Sequence, residues 1–568
     1  MKTTFRKTMI WLHTYLGIFS GWLLFVIFVT GTLSYFTPEI TYWMMPERQV
    51  IVSDGFDRNI VVEEASYTQT NTKVAQESQR YQIEQSLNYL QQHAKSASSW
   101  RIYLPTAREQ HWYVQWREGK TRHRVSFNKD ATPFKSTTDT KGGLFFRNFH
   151  YTLQLRGYGG RYIAGIAAMA MLITLFSGIY THRRFFKDFF TLRKGKITKW
   201  TSDLHALVGI VTLPFCLIIC ISAIMIYAIM YMPFSANMHF EQGERGVNKT
   251  IIPSLPPLTN STNTAASSVK SSVKNSVKNS VKSSAASASE NMLSKSIAYS
   301  AILTNLKAQW QEPHAIKRIT IEAPGNENSR FIIERTKSLT VSNRANRLVY
   351  SSYTATPLEG YADESAPATF RRIMYGLHQA NFATTGLRWL LFSLGVLSCV
   401  LIASGLIVWV NQRRTNLGKG QKRKPLSLHI MEKGNIAAIM GMAIATPVFL
   451  LANRLIPADT SNRANMEINA FFISWLCCLI HAIFRPAKNA WFEQILVAAL
   501  SYIGLAVVGM CVPFERTLNA FSTMDVTYLS FIIAFVLAGS GFAVLAHWLK
   551  GRLENLPKNN TVGKGGRP

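Results

Sequence analysis

Apolar positions in this chain gather into long continuous runs. They do not form the one-sided stripe of a soluble helix or the alternation of a half-buried strand. A helix of about twenty apolar residues spans a hydrocarbon core of roughly 30 Å. Eight such runs occur, over about 9–36, 161–181, 205–231, 387–410, 434–452, 468–484, 491–511 and 527–548. They predict a polytopic α-helical membrane protein. The first run is too long for a signal-peptide core, and no small-residue cleavage pattern follows closely, so it reads as an uncleaved span.

Two long polar segments interrupt the runs, at about 37–160 and 232–386. In the first, "YQIEQSLNYLQQHA" (81–94) has a helical pattern, and "WRIYL", "WYVQW" and "RHRVSF" alternate as strands do. In the second, "SIAYSAILTNLKAQW" (296–310) is helical, and "IKRITIE", "RFIIER" and a weaker run at "RLVYSSY" read as strands. Helix then strands, twice, predicts a duplicated α+β unit, at about 45–140 and 290–360. Within the second segment, 258–292 holds the Ser- and Lys-rich repeat "SSVKSSVKNSVKNSVKSS". It offers too little apolar surface to offset the entropy of ordering and is expected to be disordered.

The duplication extends into the spans. With "WLHTYLGI" (11–18) set on "DLHALVGI" (203–210), His13 meets His205 and Gly17 meets Gly209. Thr30-Gly31 then meets Ser222-Ala223 without a gap. His150 and His378 precede spans two and four at matched distances from Ser177-Gly178 and Ser404-Gly405. The chain therefore reads as a first repeat (1–202), a second repeat (203–415) and an unpaired four-span extension (416–568). Two repeats of the same orientation predict a pseudo-twofold axis along the membrane normal.

Charge adds topology to this picture. The 568 residues carry a net charge of +31, with a pI near 10.0. The basic residues concentrate in "THRRFFKDFFTLRKGKITK", "NQRRTNLGKGQKRK" and the two ends of the chain. These segments share one side if the spans alternate, which is the positive-inside pattern with both termini cytoplasmic. The excess is thus assigned to orientation and to contact with the lipid bilayer, not to nucleic acid. The six cysteines lie in or beside spans without a CxxC pair, as small apolar fillers rather than a disulfide or zinc framework.

Ionisable residues in spans are functional candidates by default. A pseudo-twofold would bring His13 toward His205 near the cytoplasmic face, and His150 toward His378 near the outer face. Two facing imidazoles per level are what a bis-histidine b-type haem needs. The predicted cofactors are two non-covalent haems, since C-x-x-C-H is absent. Gly17 and Gly209, one turn from their histidines, would leave space for the porphyrin edge. The competing reading of any one histidine is an interfacial side chain bonded to water or lipid headgroups. His182, in "YTHRR", is either a third candidate ligand replacing His13 or His205, or a neighbour of a haem propionate. Arg161 and Arg388, at the matched starts of spans two and four, would pair with propionates or snorkel. "GYGG" (157–160) and "TTG" (384–386) are expected to separate His150 and His378 from the spans that follow. His93, His111, His123, His239 and His314 lack metal-ligand spacing.

"LHTYLGIFSGWLLFVIFVTGTL" (12–33), "SGIYTHRRFFKDFFTLRKGK" (177–196), "DLHALVGIVTLPF" (203–215) and "LHQANF" with "SGLIVWVNQRR" (377–414) resemble motifs of the PepSY-associated transmembrane family. These are iron-regulated inner-membrane proteins that include ferrisiderophore reductases, and the resemblance covers about residues 1–415. It implies PepSY domains in the two α+β units, facing the periplasm. It also implies haem-borne electron flow outward to the ferric iron of a siderophore. A membrane quinol or a separate reductase would be the donor, since no GxGxxG nucleotide domain is present. The chain departs from many relatives at Cys216, where they resemble "LPFH". Two other functions remain open at this level: a permease for iron, haem or siderophore, and a PepSY-based binding or inhibitory module.

Overall fold

The computed structural model describes residues 2–45, 69–106, 112–128, 130–134, 139–181, 197–239, 297–309, 316–335, 347–358, 366–416, 425–522 and 525–554, with Arg108, Gly246 and Val341 between them. His182 and the Ser/Lys repeat at 258–292 lie outside the described residues. Among the described residues, eight helices are long and apolar enough to cross a membrane. They are Thr4–Ser34, Gly160–Thr181, Lys199–Tyr231, Thr385–Thr415, Leu426–Leu455, Arg463–Phe484, Ala487–Cys511 and Val526–Gly551. They coincide with the eight apolar runs, and several continue one to three turns past them. Hydropathy marks only the apolar part of a helix, whereas the backbone bonds run on into the polar flanks.

The chain divides into two units. The first comprises residues 1–46, 138–216 and 392–568. Here span five is central: Trp22 of span one donates to Asn435 Oδ1 at 2.8 Å, and Asn435 Nδ2 donates to the Leu406 carbonyl of span four at 3.2 Å. A short helix, Leu144–Thr152, carries His150 and packs Phe145, Phe146 and Phe149 against Phe449, Phe471 and Trp475 of spans five and six. The four-span extension thus grips the helix that presents a candidate ligand.

The second unit comprises 47–137 and 217–391. Its strands are β1 (Ser99–Tyr103), β2 (Tyr113–Glu118), β3 (Thr121–Phe127), β4 (Pro133–Phe134), β5 (Ile316–Glu322), β6 (Arg330–Arg335) and β7 (Arg347–Ser351). They form one antiparallel sheet in the order β4-β3-β2-β1-β5-β6-β7. The two polar segments are therefore joined: β1 pairs with β5, Ser99 opposite Glu322 and Tyr103 opposite Arg318. Left apart, β1 and β5 would each present an unpaired edge, and pairing removes both. The helices Gln69–His93 and Tyr299–Gln309 cover one face of this sheet. Ile83, Leu87, Leu90, Ile302 and Leu306 meet Trp100, Ile102, Val114, Ile319, Ile321, Phe331 and Ile333 there in a single core.

Candidate functional site

The first pair of histidines is brought together. The His13 and His205 rings stand 6.3 Å apart between centres, inclined by 65°. His13 Nδ1 lies 2.9 Å from the Thr174 carbonyl of span two. His205 Nδ1 lies 2.9 Å from the Leu401 carbonyl of span four. A carbonyl oxygen only accepts, so each Nδ1 carries the proton and each Nε2 is the lone-pair nitrogen.

Glycines set this arrangement. A Cβ on Gly178 would come within 3.0 Å of His13 Cε1, and one on Gly405 within 2.9 Å of His205 Cε1. Each glycine lies four residues after the carbonyl that its histidine contacts, so the two copies agree to the residue. Each imidazole lies in a notch on the second span of its own repeat. Gly17 and Gly209 are turned elsewhere, their Cβ positions meeting Thr174 and Leu401 of the neighbouring span at 3.7 and 3.3 Å. They set the approach of paired helices rather than facing the imidazoles.

His150 lies in the first unit and His378 in the second, and each is fixed through Nδ1 as the first two histidines are, with one change. The His150 helix ends at Leu153 and the His378 helix (Ala366–Gln379) at Ala380, both left-handed with φ of 53° and 49°. The breaks therefore begin before "GYGG" and "TTG" and run into them, up to the starts of spans two and four at Gly160 and Thr385. Span two starts at Gly160, where a Cβ would collide with the Thr152 carbonyl. His150 Nδ1 lies 2.8 Å from the Ile27 carbonyl, and His378 Nδ1 3.0 Å from Ser222 Oγ. The Ser222 hydroxyl is spent on the Ile218 carbonyl at 2.6 Å, so it accepts from His378. All four candidates thus hold the same tautomer. The difference between copies lies at Gly31, where a Cβ would stand 2.7 Å from His150 Nδ1. Ala223 occupies the matching place, and there the contact goes to a hydroxyl instead of the backbone. Burial pushes the His150 imidazole below its ordinary pKa against the opposing carbonyl bond, which keeps it neutral near pH 7. Fourteen residues separate His13 from Ile27, so these two histidine contacts lie about 21 Å apart along span one at 1.5 Å per residue.

The matched arginines differ. Arg161 is exposed, with its guanidinium 5.5 Å from the centre of the Tyr151 ring. Arg388 is buried and donates to the Ala383 carbonyl at 3.0 Å. Cys216 is buried, its sulfur 3.3 Å from Ser398 Oγ, and all six cysteines are free.

Sequence reasoning missed Gly178, Gly405 and Gly31 as neighbours of the histidines. For Gly178 and Gly405 the signal was present, since Ser-Gly recurs at the matched place in both repeats. It also missed that carboxylates in the extension are matched to arginines: Glu432 to Arg414, Glu467 to Arg463, Glu493 to Arg485. Glu467 is fully buried, accepts from Thr140 at 2.6 Å and from Asn453 at 2.8 Å, and stands 3.3 Å from Arg463. Thr140 precedes the His150 helix, so this network ties that helix to span six. Glu467→Ala leaves Arg463 buried without its carboxylate and is expected to lower stability by about 3–5 kcal/mol. Unfolding in detergent reads this directly, and an unchanged midpoint would contradict the assignment.

Could these residues hold a haem? A metal lies about 2.0 Å from an imidazole nitrogen and the ring centre about 1.2 Å beyond, so coaxial rings on one iron stand roughly 6.4 Å apart. The His13–His205 separation meets this, and each Nδ1 has the fixing partner expected of a ligating histidine. These residues fit the group.

Fold and site together define a polytopic helical membrane protein with an internally repeated, histidine-bearing core. The family described as PepSY-associated TM region matches residues 10–412, and the chain belongs to that family. Comparison with curated proteins gives no match.

Proposed function

We propose that this protein is a di-haem oxidoreductase of the bacterial inner membrane that reduces ferric iron held in a siderophore. The observation that carries the reading is the His13–His205 pair, 6.3 Å apart, with both tautomers fixed by backbone carbonyls. Two non-covalent b-type haems, bound through His13 with His205 and His150 with His378, would supply one-electron carriers at two levels of the bundle. The chain's own residues do the rest. Thr174, Leu401, Ile27 and Ser222 orient the imidazoles. The Phe145–Phe149 cluster and Glu467 hold the His150 helix in place.

In this reading both termini are cytoplasmic and the seven-stranded sheet is periplasmic, carrying the PepSY-like portion of the chain. Electrons come from the cytoplasmic side, through a membrane quinol or a separate reductase. Reduction weakens iron's hold on hard oxygen donors, so Fe(II) leaves the chelator. A permease for iron, haem or siderophore is less well supported: among the described residues Glu432, Glu467 and Glu493 of the extension each meet an arginine, which takes these carboxylates from a cation path. A PepSY-based inhibitory module leaves the matched imidazoles without a purpose.

The test is to reduce the purified protein without oxygen and add ferric siderophores in turn. The reduced low-spin absorbance band is expected to disappear as Fe(II) is trapped by a ferrous chelator. A band that persists with every siderophore would overturn the reading.

A further inference from the structure

The second unit's sheet has one face packed in the core and one face turned away from it. On β1, Arg101 and Tyr103 alternate with the core residues Trp100 and Ile102. On β2, Tyr113, Gln115 and Arg117 alternate with Val114 and Trp116. The pairing register aligns these residues across strands. Tyr103 lies opposite Tyr113 on one side and Arg318 on the other. Arg101 lies opposite Gln115, which lies opposite Arg124. Arg117 lies directly opposite Arg122. At β6 and β7 this same face is covered, with Ile332 and Val349 buried. The open part is therefore β1, β2, β3 and β5.

Its chemistry is unusual for a surface that only needs to be wet. The Tyr103 and Tyr113 rings stack at 4.3 Å, 12° from parallel. The Arg124 guanidinium lies 3.9 Å over Tyr113, and that of Arg318 lies 5.8 Å from Tyr103. The carboxylates on the face do not balance the arginines. Glu334 is already contacted by both Arg318 and Arg347, and Glu322 lies opposite Arg330. No carboxylate among the described residues pairs with Arg101, Arg117, Arg122 or Arg124. Like charges placed opposite each other on a sheet are destabilising, so folding alone does not account for Arg117 facing Arg122. Guanidinium groups bind oxyanions in a planar fork and also stack on rings, which a lysine patch would not do. The stacked tyrosines beside them cover each other's inner faces and add a half-buried pair of aromatic rings to the arginine cluster.

We propose that this face binds the ferric chelate, and that the chelate is an anionic, aromatic one of the catecholate or phenolate class. The inference rests on the reductase reading and names its substrate class. In such a complex, doubly deprotonated ring oxygens outweigh the charge of the ferric ion, leaving a net anion edged by aromatic rings. That combination matches arginines set around a tyrosine stack. A neutral or cationic trihydroxamate complex offers neither feature. An anionic bilayer would engage the charge but has no use for a compact pair of stacked tyrosines.

The test is binding by the full-length, haem-loaded protein, followed by tryptophan fluorescence. The probes are ferric tris(2,3-dihydroxybenzoate), a ferric trihydroxamate and phosphatidylglycerol vesicles. The catecholate complex is expected to bind at least tenfold more tightly than the trihydroxamate, and more weakly as salt rises. Arg101→Gln with Arg124→Gln is expected to weaken it at least tenfold, and Arg101→Lys with Arg124→Lys to restore only part of that. The salt dependence of the unaltered protein provides the same test if a variant fails to fold. Equal affinity for both chelates, or an affinity untouched by the glutamine variants, overturns the proposal. So does a result in which the variants lose vesicle binding alone, since the face would then serve lipid. Visible spectra of the same samples separate the two claims. Haem-loaded protein indifferent to the catecholate overturns this proposal only, whereas correctly folded colourless protein overturns the reductase reading on which it rests.

Discussion

Replacing His13 by alanine is expected to remove about half of the bound haem and leave a single low-spin species, and His205→Ala to do the same. Each substitution deletes one of two imidazoles whose ring centres stand 6.3 Å apart. The remaining imidazole keeps its carbonyl, Leu401 in one case and Thr174 in the other, so it stays in place but alone supplies too few ligands to retain the haem. His150 and His378 have other carbonyl and hydroxyl partners, Ile27 and Ser222, and the haem proposed for them should be spared. The double variant should look like either single variant, because one site has one occupant. Haem content and reduced-minus-oxidised spectra of the three proteins check this. Two independent half-losses that add in the double variant would show that His13 and His205 serve different sites.

A larger test of the geometry keeps every histidine. Gly178→Val is expected to empty the same site, because a Cβ there would already stand 3.0 Å from His13 Cε1, and valine adds two methyl groups. Gly405→Val should match it through His205, where the Cβ distance is 2.9 Å. Overpacking of this kind costs about 1–3 kcal/mol, which is roughly a 5- to 150-fold loss of haem affinity at 1.4 kcal/mol per tenfold. Gly504→Val is the control, since nothing lies within 4 Å of its Cβ position. Titration of haem into protein purified without it reads all three. Full affinity in Gly178→Val and Gly405→Val would mean that the imidazoles do not lie in these notches when haem is bound.

The parts legible in the sequence were those governed by periodicity or by a constant offset. All eight spans were readable because hydrocarbon thickness fixes their length. The meeting of His13 and His205 was readable because one offset aligns both repeats without a gap. The glycines that the imidazoles lean on, Gly178 and Gly405, were not legible for a physical reason. Gly17 is one turn from His13, but the space an imidazole needs is made by the helix it leans on, and that helix comes from a distant part of the chain. The strands themselves were found, yet their union through β1 and β5 was not. Alternation tells which residues share a face and says nothing about which strand lies alongside. The role of the extension was hidden similarly. Glu467 reads as a lone carboxylate in a span until Thr140, Asn453 and Arg463 are seen around it.

Four imidazoles, each fixed through Nδ1, are proposed to form two bis-histidine haem sites. The most direct measurement is the haem content of the purified full-length chain by pyridine haemochrome, with the reduced spectrum of the same sample. Two non-covalent haems per polypeptide are expected, both low-spin and b-type. A folded protein that binds no haem when expressed with an adequate supply would contradict it.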